Sequence, residues 1–428
     1  MRLEEYSQLL NSDSPTIEFS TENGKTIMCR KQAHGMKEQL EQAKDLLQAM
    51  IEAKDVPTIE VIHRLCDLAN VLDDLKLQEE CIVVGDCAMK LARALGSRAV
   101  EFQKEEAQTI LLIAHLSVSK SRACPLFIQA ISIYDAFVIM DDSDIAKATL
   151  LRALGIAGAH GQAPAALRAQ WLGRAVDLIS EIPSAMATNE QRGFIYLRYG
   201  AALGALKEDS KALMAQEQGV AFYRSLNSVT HKGDLSRAVD GNEQHKRKLA
   251  DALYCYGNTL HAKGHLEDAH GVKQEAISLY RALAVGGNEQ HKRKLADSLH
   301  NYGITLHDMG HIEDAHSVMQ EAISLYHALA VGGNEQHKRK LANALNDYGN
   351  VLHVMGHLED THSVRQEAIS LYRALAVDEN DREHKMNLAG ALRNYGITLH
   401  DMGHLEDAHG VRQEAISLYN ALGIDENE

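Results

Sequence analysis

The chain has 428 residues, 45% of them hydrophobic and 24% charged, with five prolines and few aromatics. That balance belongs to a folded chain rather than a disordered one, and its wealth of Ala, Leu, Glu and Lys favours helix almost everywhere. A formal charge of −15 argues against bulk binding to nucleic acid or an anionic membrane surface, and no window approaches eighteen uninterrupted apolar residues, so no membrane span is expected.

Residues 1–32 read as irregular and lack the basic start and apolar core of a secretory signal. Six scattered cysteines without a C-x-x-C pair read as reduced thiols, which places the expected protein in the cytoplasm. Residues 33–56 have the amphipathic pattern of a helix that caps the stack of helices after it. From 57 to 226 the sequence reads as four degenerate helical hairpins. Residues 227–240 read as an insertion, and 241–428 as four near-identical hairpins.

The last region sets the grammar for the rest. GNEQHKRKLA begins at 241 and returns at 287 and 333; a looser fourth copy follows near Glu379. Within one copy, Leu295, Leu299, Tyr302, Leu306 and Met309 form one helical apolar stripe. Ile312, Ala315, Val318, Ala322, Leu325 and Leu329 form a second. Gly310 sits where a left-handed residue ends a helix, and Glu313 and Asp314 suit the first turn of the next. Gly332 and Gly333 stop the second helix, and Asn334 is a good N-cap for the following one. Two helices of about 20 residues, each roughly 30 Å long, cannot bury both faces alone, so the copies must stack.

The same grammar extends backwards. ANVLDDLKLQEECIVVGDCAMKLARAL (69–95) overlays GNTLHAKGHLEDAHGVKQEAISLYRAL (257–283) without a gap, as does YGAALGALKEDSKALMAQEQGVAFYRSL (199–226) when Tyr256 is included. Eight second helices then carry a small residue at one packing position: Ala88, Ala130, Ala175, Gly219, Ala276, Ala322, Ala368 and Ala415.

A hairpin with Gly257 in its first helix, Gly264 at the turn, and Ala269 and Ala276 seven apart resembles a tetratricopeptide repeat (TPR). The wording is most similar to the longer kinesin-light-chain-type repeats and to fungal and bacterial TPR arrays, over residues 57–422. The resemblance implies an all-α, right-handed α-solenoid of about eight TPR-like hairpins with a period of 42–47 residues. The sequence departs from the pattern in lacking the proline after the second helix and in having longer outer helix ends.

The resemblance also implies a concave groove lined by first helices. Carried across residue by residue, the ligand-facing rows are Asn258, Ile304, Asn350 and Ile397; His261, His307, His353 and His400; Asp251, Asp297, Asn343 and Gly390; and Tyr254, His300, Asn346 and Arg393. An asparagine there can bond both the N–H and the C=O of an extended peptide. The reading without a ligand is that these are polar surface positions kept by duplication.

Other chemistry is tested against spacing. LHDMGHIEDAH (306–316) is rich in histidine, but Gly310 breaks the helical register between His307 and His311. Equivalent histidines of successive copies lie about 10 Å apart, a helix-packing distance, so no zinc site is expected. His311 and His316 are assigned to the turn. No nucleophile elbow, phosphate loop or dinucleotide fingerprint occurs, so neither catalysis nor a cofactor is expected. Cys81, at a small-residue position, reads as core. The HKRK segments lie on one edge and the paired carboxylates on the other, without the interleaved aromatics of a nucleic-acid binder.

The expected function is a non-catalytic scaffold that binds a peptide or protein segment in its groove. The alternative is a structural protein that self-associates through its uncapped C-terminal hairpin or its oppositely charged edges.

Overall fold

The computed structural model describes residues 20–22, 25–27, 59–74, 78–97, 102–117, 120–229, 235–376 and 382–423. The capping helix expected at 33–56 lies outside the described residues, as does most of 1–32. Inside 1–32 a small antiparallel ribbon differs from the irregular segment expected: β1 (Ser20–Glu22) pairs with β2 (Lys25–Ile27), Ser20 opposite Ile27. The Asn-Gly pair in the sequence at 23–24 is a local hairpin signal in a chain whose composition favours helix.

The rest of the described structure is helical, and the chain divides into two compact units, Met1–Thr188 and Asn189–Glu428. The first unit holds three hairpins: α1 (Ile59–Asp74) with α2 (Gln78–Gly96), α3 (Gln103–Leu116) with α4 (Lys120–Met140), and α5 (Asp144–Ala159) with α6 (Ala165–Glu181). By length and composition, Arg122–Met140 of α4 would be sufficient to cross a membrane. Here α4 packs beside α3 and α5, and its charged groups are used in pairs, Arg122 with Asp86 and Asp135 with Arg174. Cys81 is buried, donates to the Ala69 carbonyl, and has its thiol pKa pushed up by burial.

The second unit holds five hairpins: α7 (Asn189–Ala205) with α8 (Asp209–Val229), α9 (Leu235–Ala262) with α10 (Leu266–Ala284), α11 (Glu289–Asp308) with α12 (Ile312–Ala330), α13 (Glu335–Val354) with α14 (Leu358–Leu375), and α15 (Arg382–Asp401) with α16 (Leu405–Leu422). Among the described residues the two units together contain eight hairpins. The boundary between them falls at 188/189, not at the stretch read as an insertion. Residues 227–229 complete α8 and 235–240 lengthen the start of α9, and α8 packs against α9. Arg224 of α8 also pairs with Glu275 of α10, so the fourth hairpin is the first layer of the second unit's stack.

The turn chemistry follows from backbone geometry. Gly264, Gly310, Gly356 and Gly403 stand at φ of +79, +79, +75 and +83°, the left-handed region. His265 N–H then reaches back to the Leu260 carbonyl at 3.0 Å and His311 N–H to Leu306 at 2.8 Å, which closes the helix end. Between hairpins, Gly287 and Gly333 are also left-handed. Asn288 and Asn334 cap α11 and α13 by accepting from Gln290 and Gln336 N–H.

Packing is tightest at small residues. Ala88, Ala130, Ala175, Gly219, Ala276, Ala322, Ala368 and Ala415 are all buried. A first helix touches both its own partner and the second helix of the preceding hairpin, so more than one stripe is covered. Ala296, Gly303 and Thr305 are buried along with Leu295, Leu299, Tyr302 and Leu306.

Gly310→Ala forces a side chain into the left-handed region and is expected to destabilise its hairpin by about 1 kcal/mol. Hydrogen exchange across α11–α12 measures this; unchanged protection there would refute the assigned turn role.

Candidate functional site

The first-helix face of α9, α11, α13 and α15 is built from the glycine upward. A Cβ on Gly303 would lie 2.5 Å from Met319 Cγ, and one on Gly257 would lie 2.8 Å from Lys273 Cγ. The glycines therefore let the stem of a long second-helix side chain cross under the first helix toward the next hairpin. What crosses differs by copy: Lys273, Met319, Arg365 and Arg412.

Two of these crossings bury a cation. Lys273, only 4% exposed, donates from Nζ to the Asn301 carbonyl at 3.0 Å and to Thr305 Oγ1 at 2.8 Å. Burial pushes its pKa down to about 8. Arg365 donates from one nitrogen to the Asn394 carbonyl and Thr398 Oγ1, and from the other to Asn350 Oδ1 at 2.8 Å. The guanidinium pKa is likewise lowered by burial. Neither residue stands among those expected from the sequence, although a cation in three of four copies, with Met in the other, is visible at this repeat position there.

The residues expected to face a ligand fall into three situations. Asn258 hydrogen-bonds Tyr254, whose hydroxyl also accepts from Asn301 Nδ2 at 2.7 Å. Asn350 keeps its amide NH2 for other partners, because Arg365 holds its carbonyl oxygen. That modifies the expectation that each asparagine offers both groups. Ile304 is half-buried and Ile397 exposed in the same row.

The aspartate row is a buttress. Asp251 Oδ1 accepts from Tyr280 Oη at 2.6 Å and from Lys294 at 2.9 Å. Asp297 does the same for Tyr326 at 2.6 Å and Lys340 at 3.0 Å, and Asn343 accepts from Tyr372 at 2.6 Å. All three secure their own hairpin, and Asp251 and Asp297 also reach the next first helix, instead of standing free. Asn346 Oδ1 accepts from Asn394 Nδ2 at 3.3 Å, and Arg393 is exposed.

The histidine row is joined laterally. His261 Nε2 lies 2.8 Å from Asp308, whose other oxygen lies 3.2 Å from His307 Nδ1. Asp401 is shared in the same way by His353 at 2.8 Å and His400 at 3.1 Å. Hydrogen bonds from His353 and His400 hold the Asp401 carboxyl below the usual range. His300 bridges to Asp347 at 2.9 Å. Neighbouring first helices are thus tied by polar pairs across repeats. Among the described residues no cluster of three or more His, Cys, Asp or Glu is arranged to hold a metal.

Two expectations about other histidines change. His316 is not part of the turn: it lies within α12, and its Nδ1 is 3.0 Å from Tyr348 Oη of the next hairpin. His291 and His337 of the HKRK segments are buried, with Nδ1 at 3.1 and 3.0 Å from the Leu283 and Leu329 carbonyls. Lys248, Lys294, Arg339 and Lys340 are in ion pairs. Much of the expected basic edge is consumed internally.

The sequence matches no protein-family model and no curated protein. Among solved structures, the apo form of RapI aligns with 85% of this chain and 98% of its own, at a TM-score of 0.50 and 9% identity. The fold is a TPR-like α-solenoid. The quorum sensor NprR from B. thuringiensis aligns over 90% of this chain and 94% of its own, at 0.45 and 12%. The nearly identical TPR-like repeats of a Podospora anserina kinesin light chain align over 52% and 92%, at 0.39 and 10%. At these identities the likeness concerns the fold alone, and the TPR-like hairpins here carry their own side-chain chemistry.

Lys273 yields a test of that chemistry. Unfolded, the amine titrates near 10.5, and folded near 8. Between those values the folded chain binds fewer protons, so its stability rises with pH across that window. Chemical unfolding at about pH 7 and about pH 10 is expected to show this gain for the native chain and not for Lys273→Met. Identical pH dependence of the two would remove the buried-amine assignment.

Proposed function

We propose that the protein is a non-catalytic interaction scaffold that binds an extended peptide or protein segment along the first-helix face of α9, α11, α13 and α15. The observation that carries this reading is the row after the first-helix glycines. It alternates an amide, Asn258 and Asn350, with an apolar seat, Ile304 and Ile397, and these side chains are half-buried or exposed. Successive first helices are separated by roughly 10 Å, and an extended chain rises about 3.3 Å per residue. Every third ligand residue therefore meets a new hairpin, alternately an amide and an isoleucine.

The supporting walls are preorganised. The Arg365 bond leaves the Asn350 NH2 as a donor for a peptide carbonyl, and the Tyr254–Asn258 pair restricts the Asn258 rotamer. Restricting rotamers before binding lowers the entropy lost on association. His261, His307, His353 and His400, tied to Asp308 and Asp401, form the wall toward the hairpin turns. The rival reading, association through oppositely charged edges, has fewer cations to draw on, because Lys248, Lys294, Arg339 and Lys340 are paired internally.

A displayed library of random peptides selected on the full chain tests the proposal. Enriched peptides are expected to lose at least about tenfold in affinity for Asn258→Ala/Asn350→Ala, the worth of one or two hydrogen bonds, with helicity unchanged. Failure to enrich any peptide, or affinities that ignore both substitutions, would overturn the groove.

A further inference from the structure

Two second helices of this unit, α10 and α14, use one three-part device to grip the hairpin after them. His270 Nδ1 and Gln274 Nε2 of α10 meet Tyr302 Oη of α11 at 3.1 and 2.8 Å. His362 and Gln366 of α14 meet Tyr395 Oη of α15 at 3.1 and 2.9 Å. Beside each tyrosine, the crossing cation bonds the threonine three residues later and the main-chain carbonyl four before that threonine. Lys273 takes Thr305 and the Asn301 carbonyl; Arg365 takes Thr398 and the Asn394 carbonyl.

The middle copy shows that the device is matched on both sides. Where the crossing residue is Met319, the position equivalent to Thr305 and Thr398 is Val351, and both are buried. A cation faces a threonine, and a thioether faces a valine. Burying Lys or Arg against valine would leave donors unmet, and burying Met against threonine would waste an acceptor.

The last second helix, α16, carries the whole device. His409, Arg412 and Gln413 stand at its three positions. The Arg412 stem lies over Gly396 as Arg365 lies over Gly349, but Arg412 is exposed and has no hydrogen-bond partner among the described residues. Gln413 Nε2 and His409 Nε2 bond each other at 2.9 Å. Ile416 is 38% exposed, whereas Ile277, Ile323 and Ile369 at the same position are 4, 9 and 4% exposed.

We propose that this face of α16 is a docking site for an amphipathic helix that presents a tyrosine and, three residues later, a threonine. The helix lies across Ile416. Its tyrosine hydroxyl separates His409 from Gln413, and its threonine hydroxyl and the carbonyl one turn earlier accept from Arg412. The first helices of this unit that carry that pair, α9, α11 and α15, already pack against α8, α10 and α14, so the occupant is a further helix of their type. A symmetric contact with a second α16 is disfavoured, because it would bring the Arg412 guanidinium of each copy into the same contact.

The probe is a 20-residue peptide of residues 382–401, held helical by a staple on its polar side and titrated against the full chain. Binding is expected, weakened at least about tenfold by Thr398→Val in the peptide, since a hydrogen bond to a charged group is lost. In the Arg412→Met chain the preference is expected to reverse in favour of the valine peptide, as at Met319 and Val351. Protection of α16 amides on binding places the contact on this face. Absence of binding, or binding indifferent to both substitutions, overturns the proposal. So does a self-association of the chain that Ile416→Glu abolishes and the peptide does not displace. None of these readouts uses the Asn258 and Asn350 face.

Discussion

The close approach of each first helix to a crossing side chain organises the second unit. Without a Cβ at Gly257, Gly303, Gly349 and Gly396, the stems of Lys273, Met319, Arg365 and Arg412 have a path beneath the helix axis. For Lys273 and Arg365 the path ends on the next hairpin. A contact inside one hairpin therefore specifies the surface that the following hairpin must present. Nearest-neighbour coupling of this kind makes a stack of short units behave as one folded body.

Around that contact the polar groups sort by depth. Lys273 and Arg365 donate to main-chain carbonyls and threonines, with the buried Arg365 Nε left without a partner among the described residues, and burial lowers the pKa of both. The equally buried Tyr280, Tyr326 and Tyr372 donate to Asp251, Asp297 and Asn343 and brace each hairpin. On the outer side, Arg224, Arg281 and Arg373 pair with Glu275, Glu321 and Glu414 of the following second helices. Such exposed pairs contribute little stability individually, but they repeat in register with the stack. The proposed binding face draws on the smaller set of Asn258, Ile304, Asn350 and Ile397, with the histidines beside it.

Much of this is legible in the sequence. The hairpin boundaries follow from Gly310, Gly333 and Asn334, because a left-handed residue and an N-cap act within one turn of the chain. The eight small residues from Ala88 to Ala415 follow from periodicity, because helix packing demands them at fixed intervals. The histidine row falls on first helices by the same periodicity, but its partners do not, since Asp308 and Asp401 lie about one repeat away from His261 and His353. His291 looks like part of a basic surface because its acceptor, the Leu283 carbonyl, becomes available only when the previous helix ends beside it. The ribbon at Ser20–Ile27 is hidden by a composition that favours helix.

The sequence alone determined the helical hairpin, its turns, its period and the identity of its small packing residues, since all of these are local or periodic properties of the chain. The tertiary structure alone decided which polar residues are spent on neighbours and which are left for a partner. Asp251, Asp297 and Asn343 look as available in the sequence as Asn258 and Asn350. A tyrosine 29 residues away claims the first three, and a crossing arginine takes one side of Asn350. Satisfying buried donors is a property of the stacked repeats, and no single repeat contains it.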